Sequence, residues 1–376
     1  MFTISSPQLL IDGHLSGPGR VGIENGRIRV VEHGAGVADI ALSTGILTAG
    51  MIDLQVNGFA GVDFVSGTRE QWANARLRIA QTGVTSFLAT FITAQVGHLA
   101  AALTRASEYR EDDVAGGARV LGVHLEGPFL SAARCGAHDA SLMLDPTAAS
   151  IEALIAAGGD TLTLVTLAPE RSHALEAIKR LTQAGVVVSL GHTNADFAQA
   201  LAGADAGARM ITHLFNAMPH LGHREPGIIG LALTDQRLSV GLIADLQHVA
   251  PQICELTFRA APGRVVLVTD AISATGMPSG RYDLGGVEVT VEDGLPRRDD
   301  GTIAGAIVTL DQAVRGAVLS GVGVAEALDA ATRSPAQVLA RTDIGVLELD
   351  ARADLVWWSD DLIPQRIWID GTDIRS

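Results

Sequence analysis

Three side chains that can bind a metal ion stand in separate motifs of this sequence. Glu126 lies in "HLEGPFL", His192 in "GHTNAD" and His213 in "THLFNAMPH". A histidine taken alone is more often a hydrogen-bonded core residue than a ligand, but a bare carboxylate in an apolar strand end is costly without a partner. One carboxylate and two imidazoles together are the ligand set of a catalytic zinc ion with an open fourth position. We therefore favour a metal site over three unrelated structural residues.

One further acidic residue and a pair of amides stand in similar surroundings. Asp270 follows the apolar run "RVVLV" within "VTDAISATG". A helix cap or a general base would each explain a carboxylate there, and the candidate ligands favour the base. Gln55 and Asn57, in "DLQVNG", are two residues apart and therefore share one face of a strand. They are either satisfied structural amides or part of the lining of a site.

Four more residues near these motifs have side chains that could take a chemical role. Arg224, in the Gly- and Pro-bounded loop "GHREPG", is either solvated or a clamp for a phosphate group. His138, in "RCGAHDA", is by sequence alone a surface histidine. His124 precedes Glu126 on the same face and is expected to support a ligand or to pack in the core. Cys135 has no paired base that the sequence identifies, so a thiol nucleophile is not favoured.

The elements that must position these residues are short apolar runs separated by amphipathic segments. The predicted strands are 51–56, 84–90, 119–125, 161–167, 186–190, 209–214, 238–244 and 264–270. Such strands joined by helices predict an α/β protein with a (β/α)8 TIM-type barrel. A doubly wound sheet is the alternative, but no GxGxxG motif follows the first strand. Because residues past the carboxyl ends of barrel strands face one site, we expect the candidate residues to meet there.

Both ends of the chain have a different pattern, which is typical of antiparallel strands. Asn25-Gly26 predicts a hairpin turn, and short strand-like runs return after residue 342. We therefore predict one small β domain built from residues 1–48 and 343–376, beside a catalytic barrel over residues 49–342. A hairpin-like insertion at 280–305 follows the eighth strand, and the sequence does not decide where it packs.

Composition limits the class of protein. The 376 residues carry a net charge of −15 and are 47% hydrophobic, which indicates a folded chain and argues against a nucleic-acid surface. The two cysteines lack CxxC spacing, so a disulfide framework is not expected. Neither a signal peptide nor a membrane-spanning run is predicted. We expect a cytoplasmic protein with no membrane or nucleic-acid partner.

The order of the motifs resembles one enzyme family. "AGMIDLQVNG", "HLEGPFL", "VTLAPE", "GHTNAD", "THLFNAMPHLGHREPG", "ADLQHV" and "VTDAISATG" occur in this order in N-acetylglucosamine-6-phosphate deacetylases of the amidohydrolase superfamily. The resemblance covers nearly the whole chain. It implies a (β/α)8 barrel with a small β-sandwich domain, a homodimer, and hydrolysis of the acetamide of an amino-sugar 6-phosphate.

The resemblance also implies a role for individual residues. Glu126, His192 and His213 are similar to the family's metal ligands, Asp270 to its catalytic acid and base, and His138 to its carbonyl-polarising histidine. The implied phosphate contacts are Arg224 and His248, which in such dimers reach across from the neighbouring subunit. The remaining implied substrate contacts are Ala137, His138, Asn216, Ala217, Ile303, Ala304 and Gly305.

One departure from the superfamily pattern concerns the number of metal ions. Many amidohydrolases carry a His-x-His pair at the end of the first strand, where this chain has Gln55 and Asn57. Neutral amides are poor ligands for zinc, so we expect one divalent metal ion per subunit, with zinc favoured over iron(II). One branch of the deacetylase family has the same Q-x-N pair and works with one metal.

Alternative functions remain within and beyond this family. One is the deacetylation of N-acetylgalactosamine 6-phosphate, because sequence does not separate the two epimers. Another amidohydrolase activity on a related amide, such as a cyclic one, is less favoured, since the His-x-His pair and a strand-end lysine are missing. A silent barrel retained as a binding subunit is disfavoured, because Glu126, His192, His213 and Asp270 are all present.

Overall fold

The strands near the amino terminus are divided between two sheets. The structure, a computed structural model, describes residues 1–34 and 36–375. The first strands are β1 (Phe2–Ser6), β2 (Gln8–Ile11), β3 (His14–Ser16), β4 (Gly19–Glu24), β5 (Arg27–His33), β6 (Ile40–Ala41) and β7 (Ile46–Ala49). Asn25 and Gly26 join β4 to β5 with φ of 52° and 71°, the left-handed pair that a two-residue type I′ turn requires. The predicted hairpin is therefore present.

The middle of the chain builds the predicted barrel. Its strands and a small hairpin are β8 (Met51–Val56), β9 (Gly58–Phe59), β10 (Val62–Asp63), β11 (Val84–Ile92), β12 (Arg119–Glu126), β13 (Leu162–Leu167), β14 (Val187–Leu190), β15 (Met210–Ile211), β16 (Ser239–Leu242) and β17 (Val265–Leu267). Eight of these pair in parallel in the order β17-β16-β15-β14-β13-β12-β11-β8. All nine residues of β11 are buried, as expected for a parallel strand covered on both faces.

Helices cover the outside of the barrel and pack on its strands through one large apolar core. They are α1 (Arg69–Ala80), α2 (Val96–Tyr109), α3 (Ala148–Gly158), α4 (Ala174–Gln183), α5 (Phe197–Ala206), α6 (Gly227–Thr234), α7 (Pro251–Ala260), α8 (Leu310–Leu319), α9 (Val324–Asp329) and α10 (Arg333–Val338). Short 3₁₀ turns lie at Ala132–Arg134, Ala140–Leu142 and Gly159–Thr161. None of the helices in the described part of the chain is both long and apolar enough to span a membrane.

The ring of strands closes through backbone bonds between its first and last members. Asp270 donates its backbone N–H to the carbonyl of Gln55 (3.0 Å), and Asn57 donates its own to the carbonyl of Ala271 (2.7 Å). The side chain of Thr269 also donates to the carboxylate of Asp53 (2.6 Å). These contacts bring the ends of β8 and β17 together, so the residues that follow each strand share one end of the barrel.

The insertion after the last barrel strand packs on the barrel. It forms an antiparallel sheet of β18 (Gly280–Leu284), β19 (Val287–Glu292) and β20 (Leu295–Arg297). Leu284 and Val289 are buried in a small apolar cluster with Ile92, the last residue of β11, and Ile272, which lies after β17. The insertion therefore lies over the carboxyl end of the barrel, where it contributes to the site.

The carboxyl-terminal strands complete the small β unit that the sequence predicts. They are β21 (Leu355–Trp358), β22 (Pro364–Ile369) and β23 (Thr372–Asp373), and they extend a sheet with the order β23-β22-β21-β7-β2-β3. A second sheet has the order β5-β4-β1-β6. Ile4 and Val21 of this sheet share a core with Leu47 and Leu355 of the other, which makes a sandwich from both ends of the chain. The domain boundaries at 48/49 and 342/343 stay predictions.

Candidate functional site

The three candidate metal ligands lie together at the carboxyl end of the barrel. Glu126 ends β12, while His192 and His213 each follow a barrel strand by two residues. Nε2 of His213 lies 3.0 Å from Oε1 of Glu126 and 3.1 Å from Nε2 of His192. Nε2 of His192 lies 3.3 Å from the same carboxylate oxygen. All three side chains are buried, and their donor atoms converge on one point.

The chemistry of this donor set fits a divalent cation. The backbone carbonyl of Arg134 lies 2.9 Å from Nδ1 of His192, so this nitrogen carries the proton and Nε2 presents its lone pair to the cluster. Burial favours the neutral carboxyl of Glu126, but the hydrogen bonds and charges of His192 and His213 outweigh it and hold its pKa well below the ordinary value. Among the residues that the structure describes, Nδ1 of His213 is buried without a hydrogen-bond partner. The lone pairs of Glu126, His192 and His213 therefore face one another in a buried cluster. A metal ion bound between them would accept these lone pairs and remove their repulsion.

The backbone at the site is unusual where the strands end. His192, His213 and Asp270 have φ of 45°, 26° and 53°, which lie in the left-handed region that residues with a side chain rarely adopt. Such conformations cost free energy and persist only where the surrounding structure holds them. All three of these residues line one cavity at the ends of their strands.

Asp270 lies beside the cluster. It is held by the side-chain amides of Gln55, which is in β8, and Asn57, which follows β8. Nδ2 of Asn57 donates to Oδ1 of Asp270 (2.7 Å), and Nε2 of Gln55 donates to the same oxygen (3.1 Å). Gln55 also donates to Oε1 of Glu126 (3.1 Å). Burial, and next the negative charge of Glu126, raise the pKa of Asp270 to about 6. The expectation that the amides bond to neighbouring groups in the site agrees with these contacts.

His138 is a buried member of the site rather than a surface histidine. Its Nδ1 accepts the backbone N–H of Thr93 (3.3 Å) and lies 2.9 Å from the Thr93 hydroxyl, so the proton of the neutral ring belongs on Nε2. Nε2 lies 3.8 Å from Oε2 of Glu126. Burial, and next the charge of His192, lower the pKa of His138 to about 3. The side chain is therefore a neutral hydrogen-bond donor.

A cavity of about 280 Å³ opens above these groups. Among the substrate contacts that the resemblance implies, those that line it are Ala137, His138, Asn216, Ala217, His248, Ile303 and Gly305. His248 lines the cavity of its own chain, whereas the resemblance implied a contact from the neighbouring subunit, and Asp245 orients it with Oδ2 at 2.7 Å from Nδ1 of the imidazole. Ala304 is buried between two lining residues, and its backbone N–H donates to the carbonyl of Pro296 (3.1 Å). Arg224 is exposed and does not line the cavity.

Two residues at strand ends act on the site and were missed by the sequence analysis. Thr93 follows β11 and orients His138. Glu170 lies in "VTLAPE" after β13 and accepts hydrogen bonds from the hydroxyl of Thr193 (2.5 Å) and the backbone of Asn194 (2.6 Å), the residues that follow His192. Their position past the second and fourth strands was a usable signal, because the barrel rule applies to every strand.

A barrel that carries this set of residues at the carboxyl ends of its strands defines a metal-dependent hydrolase of the amidohydrolase type. The comparison with known families agrees, since residues 46–373 match the amidohydrolase family. The chain therefore belongs to the amidohydrolase family.

Its curated relatives carry one kind of activity in their names. The chain is 41% identical over 328 residues to an N-acetylgalactosamine-6-phosphate deacetylase of Escherichia coli O157:H7, which covers 87% of each chain. It is 36% identical over 353 residues to the N-acetylglucosamine-6-phosphate deacetylase of Vibrio furnissii, covering 93% of this chain and 88% of the relative. The human protein of that name is 41% identical over 343 residues, covering 87% and 82%.

Solved structures agree over the full length of the fold. A mutant of the N-acetyl-D-glucosamine-6-phosphate deacetylase from Mycobacterium smegmatis, in complex with N-acetyl-D-glucosamine-6-phosphate, has a TM-score of 0.93 and 36% identity. That match covers 99% of this chain and 98% of the other. The N-acetylglucosamine-6-phosphate deacetylase from Thermotoga maritima has a TM-score of 0.90 and 29% identity, with 99% of each chain covered. The predicted barrel with a terminal β sandwich is confirmed.

Proposed function

We propose that this protein hydrolyses the acetamide of N-acetylglucosamine 6-phosphate to glucosamine 6-phosphate and acetate, in the breakdown or recycling of amino sugars. The observation that carries the proposal is the convergence of Glu126, His192, His213 and Asp270 on one cavity. The names of relatives at 36–41% identity support the substrate class.

One divalent cation per subunit would be held by Glu126, His192 and His213, and we propose zinc, with iron(II) as the alternative. When bound, such a cation supplies a Lewis acid that polarises the amide carbonyl and lowers the pKa of water toward neutrality. Gln55 and Asn57 do not suit a second cation, because their amide nitrogens are directed at carboxylates and carry no lone pair to donate.

Asp270 is the proposed general base and then the general acid. Two amides occupy its Oδ1, so Oδ2 is the oxygen left to accept a proton from the attacking water. The same oxygen then delivers that proton to the nitrogen of the departing amine. A buried carboxyl with a pKa near 6 is suited to both steps near neutral pH.

His138 is the proposed donor to the oxygen of the acetamide. Its Nε2–H would stabilise the negative charge that develops on this oxygen as the carbonyl carbon becomes tetrahedral. Because Thr93 fixes the tautomer and burial keeps the ring neutral, the donor is in place before the substrate binds. The geometry requires no charged imidazole.

The phosphate would be held by His248 and by an arginine from a second copy of the chain. Within residues 1–34 and 36–375, neither lysine nor arginine lines the cavity. A phosphate dianion beside Glu126 and Asp270 needs a cation, and Arg224 lies on an exposed loop. We therefore propose a homodimer in which Arg224 of the partner subunit reaches the phosphate.

The sugar would lie between two loops at the rim of the cavity. We propose that Asn216 and Ala217 contact it from one side and residues 303–305 from the other, with Ala137 beside the acetamide.

A cytoplasmic location is also proposed, because both cysteines, Cys135 and Cys254, are free thiols.

Acetate release tests the proposed function. Purified protein with a measured metal content would be assayed with N-acetylglucosamine 6-phosphate, and we expect one acetate for each primary amine formed. Unphosphorylated N-acetylglucosamine is the matched control and should be a much poorer substrate. A metal-loaded protein that releases no acetate from the phosphorylated sugar would refute the proposal.

The galactosamine epimer is the second candidate substrate. The relative from Escherichia coli O157:H7, at 41% identity, is an N-acetylgalactosamine-6-phosphate deacetylase. Both epimers should therefore be assayed on the same sample, and the larger kcat/KM assigns the substrate.

A further inference from the structure

Two buried amides converge on a single oxygen of Asp270. Asn57 donates to Oδ1 from 2.7 Å and Gln55 from 3.1 Å. Both amide side chains are 2% exposed, so the contacts are sheltered from solvent. Two donors on one carboxylate oxygen fix the plane of the carboxylate and leave Oδ2 for other contacts.

The two amides differ in what else they contact. The NH2 group of Gln55 has two hydrogens, and its second acceptor is Oε1 of Glu126 at 3.1 Å. Gln55 therefore joins the proposed base to a proposed metal ligand. Within the described residues, the side chain of Asn57 makes its hydrogen bond to Asp270 alone, and its own Oδ1 is buried without a partner.

The orientation of both amides follows from their surroundings. A flipped amide would place its carbonyl oxygen about 3 Å from a carboxylate oxygen, where two acceptors repel. An unpartnered buried oxygen on Asn57 also costs stability that a purely structural residue would avoid. The arrangement favours control of Asp270 over packing.

We infer that Gln55 and Asn57 are positioning residues with separate tasks. Asn57 orients only Asp270, whereas Gln55 fixes the position of Asp270 relative to Glu126. The inference rests on the proposed function, since it assigns Asp270 to proton transfer and Glu126 to the cation.

Replacement of each amide by leucine, which is similar in size, gives two different outcomes. Asn57→Leu should lower kcat by about 10- to 100-fold, because a misplaced base loses its near-attack geometry. Its KM should change by less than about threefold, and its affinity for zinc should equal that of the wild type. Gln55→Leu should lower kcat and also weaken zinc binding by about 10- to 100-fold, measured by competition with a chelator.

Thr90→Val is the matched control. Thr90 is buried on the neighbouring strand β11 and accepts the backbone N–H of Val56, which lies between the two amides (2.9 Å). Loss of the Thr90 hydroxyl removes one buried hydrogen bond at the same level of the barrel and leaves the hydrogen bonds of Asp270 and Glu126 in place. Its kcat and zinc affinity should remain within about twofold of the wild type. If Asn57→Leu does not fold, Asn57→Ala removes the donor with a smaller side chain that has no hydrogen-bonding group.

The outcomes separate this inference from the proposed function. If the wild type releases acetate, equal kcat values for the Asn57 variant and Thr90→Val overturn the inference alone. If the wild type releases none, the proposed function fails. Zinc affinity then still tests whether Gln55 positions the proposed metal ligand Glu126. Equal zinc affinities in Gln55→Leu and Thr90→Val would overturn that role.

Discussion

Each reactive side chain in the site has a neighbour that decides which of its atoms faces the cavity. The carbonyl of Arg134 leaves Nε2 of His192 free to bind a cation, and Thr93 leaves a proton on Nε2 of His138. Such contacts explain why side chains that are individually ordinary form a reactive site together. They depend on residues far apart in the chain, so neither Arg134 nor Thr93 was identified from the sequence.

Replacement of Asp270 tests the proposed proton transfer. Asp270→Asn keeps the size of the side chain but removes its capacity to accept a proton, so kcat should fall by about 10²–10⁴-fold. Bound metal should remain near one per subunit, because Asp270 is outside the Glu126, His192 and His213 cluster. Metal analysis with steady-state kinetics checks both points, and an active, metal-loaded variant would contradict the role given to Asp270.

Asp53 should make the stability of the fold depend on pH. Burial raises its pKa from 3.8 to about 7, although hydrogen bonds from Thr269 and Gln55 partly oppose the shift. Between these values the folded state holds a proton that the unfolded state has lost. The stabilisation is complete below pH 3.8 and is lost as pH rises to about 7, at a cost of up to about 4 kcal/mol in the free energy of unfolding.

Denaturant unfolding from pH 5 to 8 measures this dependence. Asp53→Asn should make it shallower, because the amide keeps an acceptor for the backbone N–H of Thr269 and Gln55 and has no proton to lose, whereas Asp270 still titrates in this range. Unfolding curves of the variant and the wild type that change in parallel over this range would contradict the account.

At the scale of elements, the positions of the strands were predictable and the packing of the insertion was not. The predicted run 84–90 became Val84–Ile92 and the run 51–56 became Met51–Val56, because a buried parallel strand is a continuous apolar segment. The insertion at 280–305 has an alternating pattern that suits either neighbour. In the structure, the apolar cluster of Leu284 with Ile92 and Ile272 and the hydrogen bond from the hydroxyl of Ser273 to the carbonyl of Asp283 (2.7 Å) place the insertion over the site.

One ion-pair network joins the barrel to the terminal sandwich. Arg119 at the start of β12 donates to Asp354 and to Asp370, each at 2.9 Å. The side chain of Asp354 is only 3% exposed, and burial raises its pKa despite the nearby charge of Arg119. Removal of Arg119 would leave this carboxyl buried without its cation.

Arg119→Met should therefore lower the free energy of unfolding by about 3–5 kcal/mol. The control is Arg352→Met, because Arg352 pairs with Asp370 at the surface and should contribute less than about 1 kcal/mol. Chemical denaturation of both variants checks the difference. Similar losses of stability in the two would show that burial of the Asp354 pair is not the cause.

Across the whole molecule, as far as residues 1–34 and 36–375 define it, the cavity has no lysine or arginine in its lining, although the proposed substrate carries a phosphate dianion. Arg224 was predicted from its motif, but a single chain leaves it exposed outside the cavity, so its role depends on assembly. The proposed source of the missing cation is Arg224 of a second copy of the chain. Sequence patterns gave the residues of the site, whereas the relation between two subunits is not contained in the periodicity of one.

Mixed dimers test whether Arg224 acts across the interface. Arg224→Ala should raise KM for the phosphorylated sugar without loss of metal, and Asp270→Asn should be inactive. When the two variants are unfolded and refolded together, roughly a quarter of all sites should pair an intact Asp270 with an intact Arg224 of the partner subunit. Activity at low substrate should then exceed that of either variant alone. No gain on mixing would contradict a contact across subunits.

Titration of metal-free protein with zinc tests whether one cation per subunit is sufficient for activity. We expect acetate release from N-acetylglucosamine 6-phosphate to rise linearly and to stop at one equivalent per subunit, because Glu126, His192 and His213 are the proposed ligands of one cation and the amides of Gln55 and Asn57 do not suit a second. Activity that continues to rise to two equivalents, or no acetate at any zinc concentration, would contradict it.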